Sequence, residues 1–183
     1  MHRILEIDKQ ALYWINGHHN PVLDAILAPI AYAGEVAAIW ILICLGMLIF
    51  GKSRERKTAL LLLIAMIALD RLIAANLGHL FDRPRPYMAL SDIRQMGVRW
   101  ISGSFPSGHA HSVCLAAIIL GSRYRRFIWP LVVFAVLTCY SRPYFGMHYP
   151  LDTLAGAALG TAAGFAVLGT EKLISRRRNK SQC

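Results

Sequence analysis

The strongest constraint on this chain is a recurrence of apolar stretches near membrane-spanning length, separated by short loops that hold most of the charge. Five such stretches follow residue 32: about 33–50, 59–80, 107–120, 127–140 and 150–168. A membrane helix needs ~20 predominantly apolar residues. The chain is 56% apolar and 16% charged, with mean hydropathy +0.44. Soluble domains run ~45–50% apolar and ~25% charged, so both an ordinary soluble domain and a disordered chain are excluded. The expected fold class is all-α: an integral-membrane helical bundle with about five transmembrane helices. It forms one domain over 1–183, with a helical core at 33–170.

Charge placement sets the expected orientation. The 20 Lys+Arg against 10 Asp+Glu give a net charge of +10. Such a balance suits nucleic acid in a soluble protein, but here the basic residues cluster between apolar blocks. Lys52, Arg54, Arg56 and Lys57 follow the first block, and Arg123, Arg125 and Arg126 follow the third. Lys172, Arg176, Arg177, Arg178 and Lys180 follow the fifth, in a tail at 171–183. Five spans put all three groups on one side, which the positive-inside rule makes cytoplasmic. The loops at 81–106 and 141–149 then face outward. Residues 1–32 read as an amphipathic, interfacial helical region, with Ile4, Leu5, Ile7, Leu12, Trp14 and Ile15 interleaved with Arg3, Glu6, Asp8 and Lys9. Gly17 to Pro21 breaks it. Cys44, Cys114, Cys139 and Cys183 form no C-x-x-C pair, so neither zinc nor a disulfide framework is expected. No cleavable signal segment is expected either. Gly156, Gly160 and Gly164 share one helical face and suit close helix packing.

The two outward loops carry the chemistry. The first holds Asp82-Arg83-Pro84-Arg85-Pro86 and runs to Phe105-Pro106-Ser107-Gly108-His109. The second reads Ser141-Arg142, five residues, His148, three residues, Asp152. Arginine offers forked donors matched to phosphate oxygens. A helix opening at Ser107-Gly108 presents free N–H groups and the positive end of its dipole to an anion. Two histidines can divide the labour between nucleophile and general acid. His148 and Asp152 are four apart around Pro150, which favours a helical first turn. The carboxylate is therefore expected to fix and stabilise the imidazole. No acidic cluster suited to magnesium is present, so metal-free phosphoryl transfer is expected.

These motifs resemble the type 2 phosphatidic acid phosphatase superfamily of integral-membrane lipid phosphatases, whose pattern is K-x6-R-P, then P-S-G-H, then S-R-x5-H-x3-D. Pro106-Ser107-Gly108-His109 matches the second motif in full, and Ser141, Arg142, His148 and Asp152 match the third. The first is matched by Arg85-Pro86, but Gly78 stands where the lysine would fall. Arg83, Asn76 and His79 are the candidate substitutes. The run Gly78-His79-Leu80-Phe81 also resembles some bacterial undecaprenyl-diphosphate phosphatases.

The resemblance implies that His148 attacks phosphorus, Asp152 supports it, and His109 serves as acid and then base. It implies that Arg85, Ser107, Gly108 and Arg142 bind the phosphate, with Arg83 a further candidate. The expected partners are the bilayer and a phosphorylated membrane lipid, with no nucleic acid, no metal and no cofactor. Undecaprenyl diphosphate leads as substrate, with phosphatidylglycerol phosphate and the lipid A 1-phosphate as rivals. A bacterial-type cell membrane with an extracytoplasmic active site is the expected location. A lipid phosphotransferase, a soluble vanadium haloperoxidase and an inactive lipid-phosphate binder are the competing readings. The apolar spans oppose the haloperoxidase.

Several neighbours carry two readings. His111, two residues past His109, is expected to point elsewhere on the helix. Asp70-Arg71, inside an apolar stretch, reads as an internal ion pair or as a link to the site. Arg94, Arg99 and Trp100 read as headgroup-level anchors or as lipid contacts. Tyr144, Phe145 and Tyr149 wall a lipid entry or pack at the interface.

Overall fold

The computed structural model describes residues 2–34 and 38–180. Among these there is no strand, as suits a chain in lipid, where a helix satisfies its own backbone. In chain order the helices are α1 (His2–Gly17), α2 (Pro21–Gly34), α3 (Ala38–Phe50), α4 (Ser53–Leu69), α5 (Ala75–Phe81), α6 (Pro86–Ala89), α7 (Gly108–Arg123), α8 (Ile128–Tyr144) and α9 (Pro150–Lys180). A π-helical turn at Asp70–Ala74 joins α4 to α5, and a 3-10 turn at Arg125–Phe127 leads into α8.

Three helical stretches are long and apolar enough to cross a membrane: Ser53–Ala89, Arg125–Tyr144 and Pro150–Arg177. At 1.5 Å per residue, the 13 residues of α3 and the 16 of α7 extend only ~20 and ~24 Å. Each falls short of a ~30 Å hydrocarbon core on its own. Large apolar side chains on the outer faces stay exposed, among them Phe50, Ile64, Leu80, Trp129 and Phe165, as expected of surfaces turned to lipid.

The N-terminal region is broken where its sequence predicts, and its second half packs into the protein. The Gly17–Pro21 break separates α1 from α2, and Leu27 and Ala31 of α2 pack into a core with Tyr144, Phe145 and Met147. The three residues between α2 and α3 lie outside the described part of the chain, so the first expected span is described only from Ala38. At the other end, residues 171–180 of the basic tail continue α9.

The helix α1 is also inside out. Its apolar Ile4, Ile7 and Trp14 are 59%, 64% and 65% exposed, whereas Asp8, Leu12 and Asn16, four apart on one stripe, are buried against the protein. A soluble amphipathic helix does the reverse. Asn16 donates to the carbonyls of Arg94 and Tyr144 and accepts from the Arg94 N–H. Arg94 forms a two-pronged ion pair with Asp24 of α2, at 2.9 and 2.6 Å. The 82–107 loop is thereby tied to both N-terminal helices.

The main core lies between α3, α4, α7 and α8, built from Trp40, Cys44, Leu62, Val113, Leu115, Ile119 and Ala135 among others. On its far side α9 lies against α7 so closely that side chains are excluded. A Cβ at Gly156 would meet the Ser107 carbonyl, and one at Gly160 would overlap the backbone of His111. At Gly164 it would meet the Ile118 side chain. The glycine face therefore seats α9 on the helix whose first turn carries Ser107-Gly108-His109.

Backbone cannot swing aside as a side chain can. Gly160→Ala is expected to lower the detergent-solubilised melting temperature by several degrees, for an overpacking cost of ~1–3 kcal/mol. Gly169→Ala, where nothing lies within 4 Å, is expected to leave it unchanged. Equal melting temperatures for the two variants would refute this packing argument.

The three basic clusters converge at one end of the bundle. Arg54 of α4 donates to the Arg123 carbonyl at the end of α7, and Arg123 pairs with Glu171 of α9. The start of α7, the end of α8 and the start of α9 meet at the opposite end.

Candidate active site

The site forms where three helix termini and the 82–107 loop come together. Arg142 lies in the last turn of α8, Tyr149 is the residue that caps α9, and Asp152 belongs to the first turn of α9. Ser107 is the residue on which α7 begins. One hydrogen bond joins two of these termini directly: the Ser107 N–H donates to the Asp152 carbonyl at 3.0 Å. Arg142, His148 and Asp152 are 1%, 2% and 0% exposed.

His148 has both ring nitrogens committed. Nδ1 lies 2.7 Å from the Ser104 carbonyl, which can only accept, so Nδ1 carries the proton. Nε2 lies 3.2 Å from Arg85 Nη1, which can only donate, so Nε2 presents its lone pair. The ring is thereby set as the tautomer with its lone pair on Nε2. Burial, then the neighbouring Arg85, His109 and Arg142, hold its pKa well below the ordinary imidazole value; the bond to Ser104 opposes this. The neutral, nucleophilic form is therefore favoured throughout the neutral range.

Asp152 reaches the imidazole only at ion-pair range. Its Oδ2 is 4.0 Å from His148 Nδ1, beyond hydrogen-bonding distance. The carboxylate instead accepts from the Tyr149 N–H at 2.9 Å and from Arg83 Nη1 at 2.7 Å. The first of these is the reach-back of a third helical residue to the cap of its own helix. The Ser104 carbonyl orients the imidazole, while Asp152 shapes the turn that carries it.

Arg85 is anchored through Nε and Nη2 on Ser102, at 2.9 Å to its carbonyl and 3.4 Å to its hydroxyl, leaving Nη1 toward Met147 O and His148. The second arginine of the same run goes elsewhere. Arg83, expected among the phosphate donors, spends both terminal nitrogens on carboxylates: Nη1 on Asp152 and Nη2 on Asp8, each at 2.7 Å. Its guanidinium also stacks on the Tyr149 ring, 3.6 Å from the centroid. Two residues apart in an extended, proline-bracketed run, Arg83 and Arg85 serve different partners.

Ser107 Oγ and His109 Nε2 are buried without a hydrogen-bond partner among the described residues, and Ser107 makes no side-chain cap to its own helix. Buried polar atoms are seldom left so. Here they sit at the N-terminus of α7, where an anion is favoured. Arg142 donates to Ser141 Oγ through Nε and Nη2, at 3.1 Å each. Both His109 and Arg142 lie near enough to the His148 ring to interact with it electrostatically.

Of the three candidate lysine substitutes, two have other partners, and the third faces a cleft beside Gly78. Arg83 is held by carboxylates, and Asn76 is exposed and donates to Leu72 of its own helix. His79 lines a cleft of about 450 Å³ that also includes Gly78, Asp70, Asp82, Ser102 and Phe105. Asp70 and Arg71 are 3.9 Å apart with exposed side chains, so they form no internal pair. Asp70 instead lies 3.7 Å from buried His111. Tyr144, Phe145 and Tyr149 are buried and pack the floor of the loop. Asp8 and Ser104 were not legible as site residues, since neither stands in a motif.

Residues 59–174 match the family model described as the PAP2 superfamily. The chain is 34% identical over 154 residues to an undecaprenyl-diphosphatase of Bacillus subtilis, covering 81% of this chain and 75% of that protein. It is 33% identical over 174 residues to a lipid A 4'-phosphatase of Bacteroides thetaiotaomicron, covering 87% and 75%. Its fold matches the crystal structure of a transmembrane PAP2-type phosphatidylglycerolphosphate phosphatase from Bacillus subtilis with a TM-score of 0.76 and 26% identity, covering 95% of this chain and 89% of the other. On the family match over well over half its length, this chain belongs to the PAP2 superfamily.

Proposed function

We propose that the protein is a metal-independent membrane lipid phosphatase that works through a phosphohistidine on His148, with undecaprenyl diphosphate as its leading substrate. One observation carries the mechanism: His148 is held as the Nδ1-protonated tautomer, with Nε2 against the Arg85 guanidinium. A phosphate oxygen bound to Arg85 brings phosphorus up to that lone pair. The Nε2–P bond forms as the P–O bond to the lipid breaks, and His109 gives its proton to the departing oxygen. Water then attacks the phosphohistidine, His109 takes a proton from it, and phosphate leaves. Arg85, Arg142, Ser107 Oγ and the Gly108 N–H meet the charge that grows on the phosphoryl oxygens. Arg83 and Asp152 act behind His148 rather than on phosphate.

The donors are arginine, hydroxyl and backbone groups, and no group of three metal-ligating side chains occurs among the described residues. Charge neutralisation is thus assigned to the arginines, and activity is expected to persist in EDTA. The substrate ranking rests on the undecaprenyl-diphosphatase relative together with the Gly78 position. Phosphatidylglycerol phosphate and the lipid A phosphates are the alternatives that the other relatives name. Five crossings, with the site at the extracytoplasmic end, are supported by the convergence of the basic clusters at the opposite end.

The test is phosphate release in detergent micelles containing EDTA, with the three lipids side by side. Release in EDTA is expected, fastest from undecaprenyl diphosphate. Activity lost in EDTA and restored by magnesium would overturn the mechanism. A faster rate on another lipid would overturn the substrate assignment, and phosphate passed to a second lipid would make the protein a transferase.

A further inference from the structure

Asp8 lies on α1, outside the segment that matches the family, yet its carboxylate is completely buried next to the catalytic turn. We infer that Asp8 is a positioning residue for the nucleophile: it pins the Arg83 guanidinium, and through it the two groups that flank His148. The inference rests on the phosphatase reading for its kinetic test alone.

The links are short and continuous. Asp8 Oδ2 accepts from Arg83 Nη2 at 2.7 Å, while Oδ1 accepts from the Leu151 N–H at 2.8 Å. Leu151 is in the first turn of α9, so a carboxylate from another helix satisfies an N-terminal donor at the positive end of the dipole. Arg83 Nη1 then holds Asp152 at 2.7 Å. The backbone of Arg83 completes a second route, for its carbonyl accepts from the Ser104 N–H at 2.8 Å. The Ser104 carbonyl in turn accepts from His148 Nδ1. One arginine thus supports His148 from both sides, through its side chain by way of Asp152 and through its main chain by way of Ser104.

Asp8 is what fixes that arginine. A guanidinium with one carboxylate can pivot about it, whereas one forked between two carboxylates on different helices is held in plane. The inside-out face of α1 has the same meaning. Burying a carboxylate is costly unless it is paired, and α1 turns Ile4 and Ile7 outward while keeping Asp8 inward. A helix serving only as a membrane anchor has no use for that arrangement.

The test uses the full chain in detergent micelles, with Asp8→Asn, Arg83→Lys and the double variant. Asparagine keeps an acceptor for Leu151 and removes the charge, so the fold is expected to persist. We expect Asp8→Asn to lower kcat on the order of 10–100-fold, as misplacement of a reacting group does, with KM within about twofold. The double variant should be no slower than Arg83→Lys alone, because both changes break one chain of contacts. Nitrogen NMR of the imidazoles, with the His148 signal assigned by its loss in His148→Gln, should show His148 displaced from its wild-type tautomer signature in Asp8→Asn. A merely structural Asp8 would lower the melting temperature, give multiplicative losses in the double variant and leave the His148 signal in place. That result, or an unchanged kcat, overturns the inference. Should the wild type release phosphate from no lipid, the phosphatase reading fails, and the His148 signal alone decides the role of Asp8.

Discussion

His148→Ala is expected to lower turnover by at least ~10,000-fold, as loss of the nucleophile does in other covalent mechanisms. The size follows from how completely the protein has prepared this one ring. Its Nδ1 proton is on Ser104, its Nε2 faces Arg85, and it is buried where water cannot compete for the lone pair. Alanine leaves the donors around the phosphate but nothing to attack with. His109→Ala should differ in kind. Loss of an acid–base group costs ~100–10,000-fold, and with an aryl phosphate, whose leaving group needs no proton, the first step is spared. The phosphoenzyme should then accumulate, because water still needs a base. Radiolabelled phosphate retained on the His109→Ala protein, labile to acid and stable to alkali, is the expected signature; the double variant lacking His148 should retain none. Label that survives in the His148→Ala protein would place the nucleophile elsewhere. The wild-type profile adds a pH check. Protonation removes the nucleophile, and burial beside Arg85, His109 and Arg142 lowers the pKa of His148. The acid limb of kcat/KM is therefore expected below ~6.5, the ordinary imidazole pKa.

What the sequence shows of this site is what lies close together along the chain. Ser107, Gly108 and His109 are consecutive, and Arg142, His148 and Asp152 fall within one turn and one helix start, so their spacing alone proposes a shared site. Membrane character and helical class follow from apolar block length in the same way. The supporting groups have no such signature. Asp8 reaches Arg83 across 75 residues and Leu151 across 143, and nothing in the local pattern of α1 marks it as inward. In water the apolar side of that helix would face the protein; in lipid the solvent reverses the assignment, and a polar residue amid apolar ones becomes the buried one. Ser104 acts through its carbonyl, which every residue possesses, so no side-chain pattern can single it out. The spacing marks Asp152 as a site residue but does not give its hydrogen-bond partners. Four-residue spacing brings it near His148 without saying which of its neighbours reaches it first, and the Tyr149 N–H and Arg83 do. The helix α2 was missed because its apolar run is short and broken by Asp24 and Pro29.

The run Asp82-Arg83-Pro84-Arg85-Pro86 offers two arginines, and their partners predict opposite kinetic behaviour. Arg85→Ala is expected to lower kcat/KM by roughly 100–1,000-fold, the usual loss on deleting one donor to a developing oxyanion. Arg85 is the donor that touches the attacking nitrogen, at 3.2 Å, so substrate phosphate must exchange for His148 on the same guanidinium. That exchange couples binding to alignment, and both kcat and KM should suffer. Arg85→Lys should recover only part of the loss. It keeps the charge, but an ammonium cannot hold Ser102 with two nitrogens while extending a third toward phosphate. Arg83→Lys should leave KM nearly untouched and reduce kcat, since its partners are Asp8 and Asp152 rather than the substrate. The absence of a lysine at Gly78 sharpens the contrast. With Arg83 committed to Asp8 and Asp152, fewer arginines share the phosphate charge and each one removed should weigh more. Steady-state kinetics of the three variants on one lipid check the assignment. A KM effect confined to Arg83→Lys, with Arg85→Ala near wild type, would exchange the roles of the two arginines and remove the basis for placing phosphate between Arg85 and His148.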